Sequence, residues 1–90
     1  MKTIETDIHE ILHEWHTPKA ERILKKMGVS ERNWMLFALY SGAADGRTWS
    51  LRALADIPNP AISHVRVYQI VKKTEKRLRQ YVETRRNGTR

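Results

Sequence analysis

The 90 residues contain no cysteine, which excludes disulfides, a thiolate nucleophile and a cysteine-built zinc finger. No apolar run approaches the length of a membrane span, so no membrane partner is expected. The opening Met1-Lys2-Thr3-Ile4-Glu5 lacks the apolar core of a signal peptide and is acid-rich. There is no glycine-rich phosphate loop, no Ser-His-Asp or Cys-His set and no paired-carboxylate cleft, so neither an enzyme nor a cofactor is expected. No segment alternates apolar and polar residues as a half-buried strand does. These absences leave a small, soluble, cytoplasmic, all-α domain. Its ordinary apolar fraction argues for a modest packed core rather than disorder.

The formal net charge is +7, and its placement says more than its size. Residues 1–16 hold Lys2 against Glu5, Asp7, Glu10 and Glu14. Residues 61–90 hold Arg66, Lys72, Lys73, Lys76, Arg77, Arg79, Arg85, Arg86 and Arg90 against Glu75 and Glu83. The basic end would be drawn to a polyanion, although a charged, solvated helix face has the same composition.

Apolar spacing and capping residues predict five helices. Ile4, Ile8, Ile11, Leu12 and Trp15 make one stripe, ended before Pro18. Thr17 caps a second helix with Pro18 at its first position, a stripe of Ala20, Ile23, Leu24 and Met27, and Gly28 as its left-handed stop. Ser30 caps a third helix through Tyr40, apolar on nearly every side from Trp34 onward and therefore central; Gly42 stops it. Thr48 or Ser50 caps a short fourth helix through Leu51, Leu54 and Ala55. Ile57-Pro58-Asn59-Pro60 is a turn. The fifth helix begins between Pro60 and Ser63 and runs to about Thr84, with Val67, Ile70, Val71, Thr74, Leu78 and Tyr81 inward. Residues 85–90 are expected to be a loose basic tail. Trp15, Trp34, Phe37 and Tyr40 are read as core; Trp49 either plugs the core or rests on a DNA backbone, with the core favoured.

A short helix, a turn and a longer basic helix is the arrangement that lays one helix in the DNA major groove. With the apolar stripe inward, the fifth helix presents His64, Val65, Tyr68, Gln69 and Lys72 as base-reading candidates. Gln69 suits adenine, Val65 a thymine methyl, and Tyr68 a base or a phosphate. Arg66, Lys73 and Lys76, with Thr48, Ser50 and Arg52 from the fourth helix, suit phosphates. The competing reading of this helix is an amphipathic oligomerisation surface with Val65 and Tyr68 as partner contacts.

The stretch from Ser63 to Arg79 resembles the recognition helix of the fourth conserved region of bacterial sigma factors. Ser63, Arg66, Val67, Gln69, Ile70, Lys73, Leu78 and Arg79 stand where that family's pattern has them. Leu39 to Thr48 is similar to the family's helix end and loop upstream, and Ser30-Glu31-Arg32 to its charged helix start, so the resemblance covers about residues 30–82. It implies a promoter-binding helix-turn-helix acting as a transcription regulator on double-stranded DNA in the bacterial cytoplasm or nucleoid. It also implies docking on RNA polymerase, so a module that binds polymerase or a sigma factor is the alternative. His64, Val65 and Tyr68 replace the family's usual Arg, Glu and Arg, so its usual promoter element is not carried over. The turn from Ile57 to Ile62 is longer than the family's and lacks its Gly. Nothing resembles the sigma region that melts promoter DNA, so the expectation is a stand-alone module of the phage or plasmid type. Residues 30–84 form the DNA-binding unit. Residues 1–29 form a two-helix extension, read as acidic and suited to a protein partner or a homodimer seam.

One motif points elsewhere. His9-Glu10-Ile11-Leu12-His13 matches the zinc-protease pattern H-E-x-x-H, and His16 follows. His9 and His13 lie one helical turn apart, which suits two ligands on one metal. The apolar stripe of that helix faces away from His9, His13 and His16, however, and no cleft or substrate-holding structure accompanies them. No catalytic metal site is therefore expected, and adventitious or structural divalent-metal binding by His9, His13 and His16 stays as the alternative. Histidines beside acids on a surface helix need no metal to account for them.

Overall fold

A computed structural model describes residues 3–88 of the chain. Among the described residues there are five helices and no strand: α1 (Ile4–His13), α2 (Pro18–Met27), α3 (Glu31–Ser41), α4 (Leu51–Ala55) and α5 (His64–Gly88). No helix among them is long and apolar enough to cross a membrane.

Each helix starts where a short hydroxyl side chain can take an orphan amide. Thr3 Oγ1 accepts from the Thr6 amide, Thr17 from Ala20, Ser30 Oγ from Asn33, Ser50 from Ala53 and Ser63 from Arg66. The start of α4 is thereby assigned to Ser50 rather than Thr48. Helices α2 and α3 end on Gly28 and Gly42, with φ of 70° and 87°. That left-handed backbone costs a residue with a Cβ roughly 1–2 kcal/mol.

One core joins all five helices. Leu36 and Ala38 of α3, Leu54 of α4, and Val67 and Leu78 of α5 have no exposed surface. Helix α3 is central, as its all-round apolarity predicts, and α5 runs the length of the molecule against the other four. A helix of 25 residues is roughly 37 Å long, which accounts for the elongated 45 × 24 × 23 Å shape. The buried polar groups are paired. Trp34 Nε1 donates to the Trp15 carbonyl at 2.9 Å, tying the first turn of α3 to the chain just after α1. Among the described residues, no buried side-chain nitrogen or oxygen lacks a partner.

Two expectations need correction. The fifth helix does not stop at Thr84: α5 continues to Gly88, so residues 85–88 are helical rather than a loose tail, while residues 89–90 lie outside the described residues. Local and long-range contacts are both present at this end. Arg86 Nη1 lies 3.3 Å from the Asp7 carboxylate, Arg85 sits over the Tyr81 ring, and Val82, left off the predicted stripe, is buried. The N-terminal segment is also not acidic throughout. Glu5 is paired with Arg79 and Asp7 with Arg86, both on α5, and Glu14 with Lys19. Helix α2 itself carries Lys19, Arg22, Lys25 and Lys26 against Glu21 alone.

Candidate nucleic-acid interface

Helix α4 packs on α5 through Leu54 and Ala55. The connection between them, residues 56–63, is longer than the three or four residues of a tight helix-turn-helix. The Ile62 amide closes it onto the Ala55 carbonyl at 3.0 Å, and Asn59–Pro60 is a cis peptide. Helix α5 starts at His64, with Ser63 as its cap.

Every predicted contact residue on α5 is exposed: His64, Val65, Arg66, Tyr68, Gln69, Lys72, Lys73 and Lys76. Thr48, Ser50 and Arg52 are exposed as well. The inward stripe explains this. Burial of Val67, Ile70, Val71, Thr74 and Leu78 sets the rotation of the helix, and a period of 3.6 residues turns the others outward. Among the described residues, Val65 and Tyr68 are the exposed large apolar side chains, 55% and 46% accessible.

The exposed residues divide into two groups. Lys72 Nζ lies 5.6 Å from the Tyr68 ring centroid, within cation–π range, so these two side chains form one unit. Arg66, Gln69 and Lys73 instead line a 140 Å³ cavity together with Gly28, Asn33 and Arg77, on the flank that faces the α2–α3 junction. Gln69 and Lys73 therefore border the α2–α3 junction.

The loop before α4 is organised by Asp45. Its carboxylate accepts from Trp49 Nε1 at 2.9 Å and from the Arg47 amide at 3.1 Å. The Trp49 hydrogen bond first, and the Arg47 amide next, hold the Asp45 carboxyl below its ordinary range. Trp49 packs half-buried against the core with the Arg47 guanidinium over its ring, which meets the expectation of a core role. Ser50 Oγ accepts the Ala53 amide at 3.1 Å as a cap, and its hydroxyl proton remains able to donate to a phosphate.

One basic surface escaped the sequence reading. Lys19, Arg22 and Lys26 of α2 face Lys73, Lys76, Arg77 and Arg85 of α5 across a groove of 1080 Å³. The spacing of 19, 22 and 26 puts all three on one helical face, so half of the signal was in the sequence. The other half, which helix they face, belongs to the packing. Arg77 has a structural task as well, since its Nη1 donates to the Met27 carbonyl at 2.8 Å.

His9, His13 and His16 are all exposed. Among the described residues, no group of three or more His, Cys, Asp or Glu side chains is disposed to hold a metal ion.

No protein-family model matches the chain, and neither the curated proteins nor the solved structures contain a significant match to it.

Proposed function

We propose that the protein binds duplex DNA, with α5 in the major groove and α4 against the backbone, and that it acts as a stand-alone transcription regulator similar to the fourth conserved region of bacterial sigma factors. One observation carries this reading. On the exposed ridge of α5, Val65 and Tyr68 stand among Gln69, Lys72, Lys73 and Lys76, while the opposite side of the same helix is sunk in the core. Apolar and amide groups flanked by lysines are what base edges between two phosphate strands require. The resemblance over residues 30–82 supports the same conclusion. Gln69, Tyr68, Val65, His64 and Lys72 read bases; Arg66, Lys73, Lys76, Thr48, Ser50 and Arg52 hold phosphates.

Selection from a pool of random duplexes at near-physiological salt tests this. One enriched motif is expected, abolished in Gln69→Ala and in Lys72→Glu. A two-fold symmetric motif would indicate a homodimer. Weak, salt-sensitive binding without enrichment would overturn operator reading.

The two exposed apolar side chains also favour a second reading, in which Val65 and Tyr68 dock on RNA polymerase or a sigma factor. Tyr68→Ser would then abolish that docking, and Lys72→Glu would leave function intact. The pairing of Glu5 and Asp7 with cations of the same chain makes α1 the poorer candidate for such a contact.

A further inference from the structure

The groove between α2 and α5 extends the duplex-DNA reading and rests on it. Both of its walls carry lysine or arginine side chains and no carboxylate lines it. Lys19 is offset by Glu14 at 3.5 Å, and Arg77 donates to the Met27 carbonyl. Among the described residues, Arg22 and Lys26 on one wall and Lys73 and Lys76 on the other make no ion pair, and all four are exposed. Like charges gathered on facing walls repel, and a bound polyanion relieves that repulsion. Position selects the polyanion. Lys73 and Arg77 line both this groove and the small cavity bordered by Gln69, so the cationic surface runs unbroken from the base-reading ridge to α2.

We propose that α2 is a second backbone contact for the same duplex: Arg22 and Lys26 neutralise phosphates on the strand that passes Lys73 and Lys76, widening the footprint beyond the helix-turn-helix. Such contacts carry no base information. They add affinity and salt dependence while leaving sequence preference where α5 sets it.

The test is the salt dependence of binding to a short mixed-sequence duplex by the full chain and by the double variant Arg22→Gln/Lys26→Gln. Both positions are exposed, and far-UV circular dichroism checks that the helices persist. The expected result is a log–log slope shallower by roughly 1.8, about 0.9 for each phosphate that is no longer neutralised, with the ranking of sequences unchanged. The charge-conserving pair Arg22→Lys/Lys26→Arg should restore the slope. An unaltered slope in the glutamine variant, with wild-type binding intact, would overturn the α2 contact and leave the α5 reading standing. So would a variant that no longer binds inorganic tripolyphosphate but keeps its duplex slope, because the groove would then serve a small polyanion. Failure of the wild-type chain to bind any duplex would overturn both.

Discussion

The Arg77 guanidinium donates to the main-chain carbonyl of Met27 at 2.8 Å, bridging the middle of α5 to the last turn of α2. A cation at a helix C-terminus meets both an orphan carbonyl and the negative end of the helix dipole. The same nitrogen would lie 3.1 Å from a Cβ placed on Gly28, whose φ is +70°. The α2–α5 junction therefore depends on one long side chain and one absent one. Arg77→Ala is expected to lower stability by about 1.5–3 kcal/mol, the range for a hydrogen bond to a charged group, with the half-exposed site favouring the lower end. Gly28→Ala should cost about 1–2 kcal/mol through backbone strain. Urea denaturation measures both, and an Arg77→Ala midpoint equal to wild type would show that the bridge contributes nothing in solution.

Leu54 is fully buried where α4 meets α5, whereas Tyr68 on the opposite side of α5 is 46% accessible. Leu54→Ala should destabilise by about 2–5 kcal/mol through reduced burial and a residual cavity. For a chain of this size that is a large share of total stability. Tyr68→Ala should stay within about 0.5 kcal/mol of wild type. Thermal unfolding of the two variants reads which face of α5 is buried, and a reversed order would mean that the helix is rotated.

Ser63 Oγ accepts the Arg66 amide at 3.1 Å, and α5 is the helix proposed to enter DNA. Ser63→Ala is expected to cost about 1 kcal/mol, and Ser63→Asp to retain the cap. Amide hydrogen exchange at Arg66 and Val67 provides the check: exchange should quicken in the alanine variant and not in the aspartate one.

Asp45 accepts from Trp49 and from the Arg47 amide, and its folded carboxyl is held below the ordinary aspartate range. A carboxyl with a depressed folded pKa adds stability that is present above its unfolded pKa and is lost as pH falls through the folded value. Wild type should therefore lose its advantage over Asp45→Asn as the pH drops through and below the ordinary aspartate range, while near neutral pH it stays the more stable. Acid titration of both proteins followed by far-UV circular dichroism makes the comparison, and identical acid profiles would show that Asp45 contributes nothing to acid stability.

Much of the helical framework is local information. A hydroxyl three residues before its amide partner, as at Thr17, Ser30 and Ser63, acts within one turn and needs no tertiary contact, so helix starts can be read from sequence to within a residue or two. The apolar stripe of α5 is equally local, because burial of Val67, Ile70, Val71, Thr74 and Leu78 turns Val65, Tyr68, Gln69 and Lys72 outward through helix geometry alone. Three features depended on the packing. Past Thr84 the helix carries Arg86 to Asp7, 79 residues away in the chain. Glu5 and Asp7 of α1 are matched to Arg79 and Arg86 on α5, which a charge count along the chain cannot reveal. The basic stripe of α2 becomes one wall of a groove because of the side on which α2 lies against α5. Periodicity determined which residues of each helix face the core and which face solvent; only the packing decided which exposed faces meet, because that depends on how side chains distant in the chain fit together.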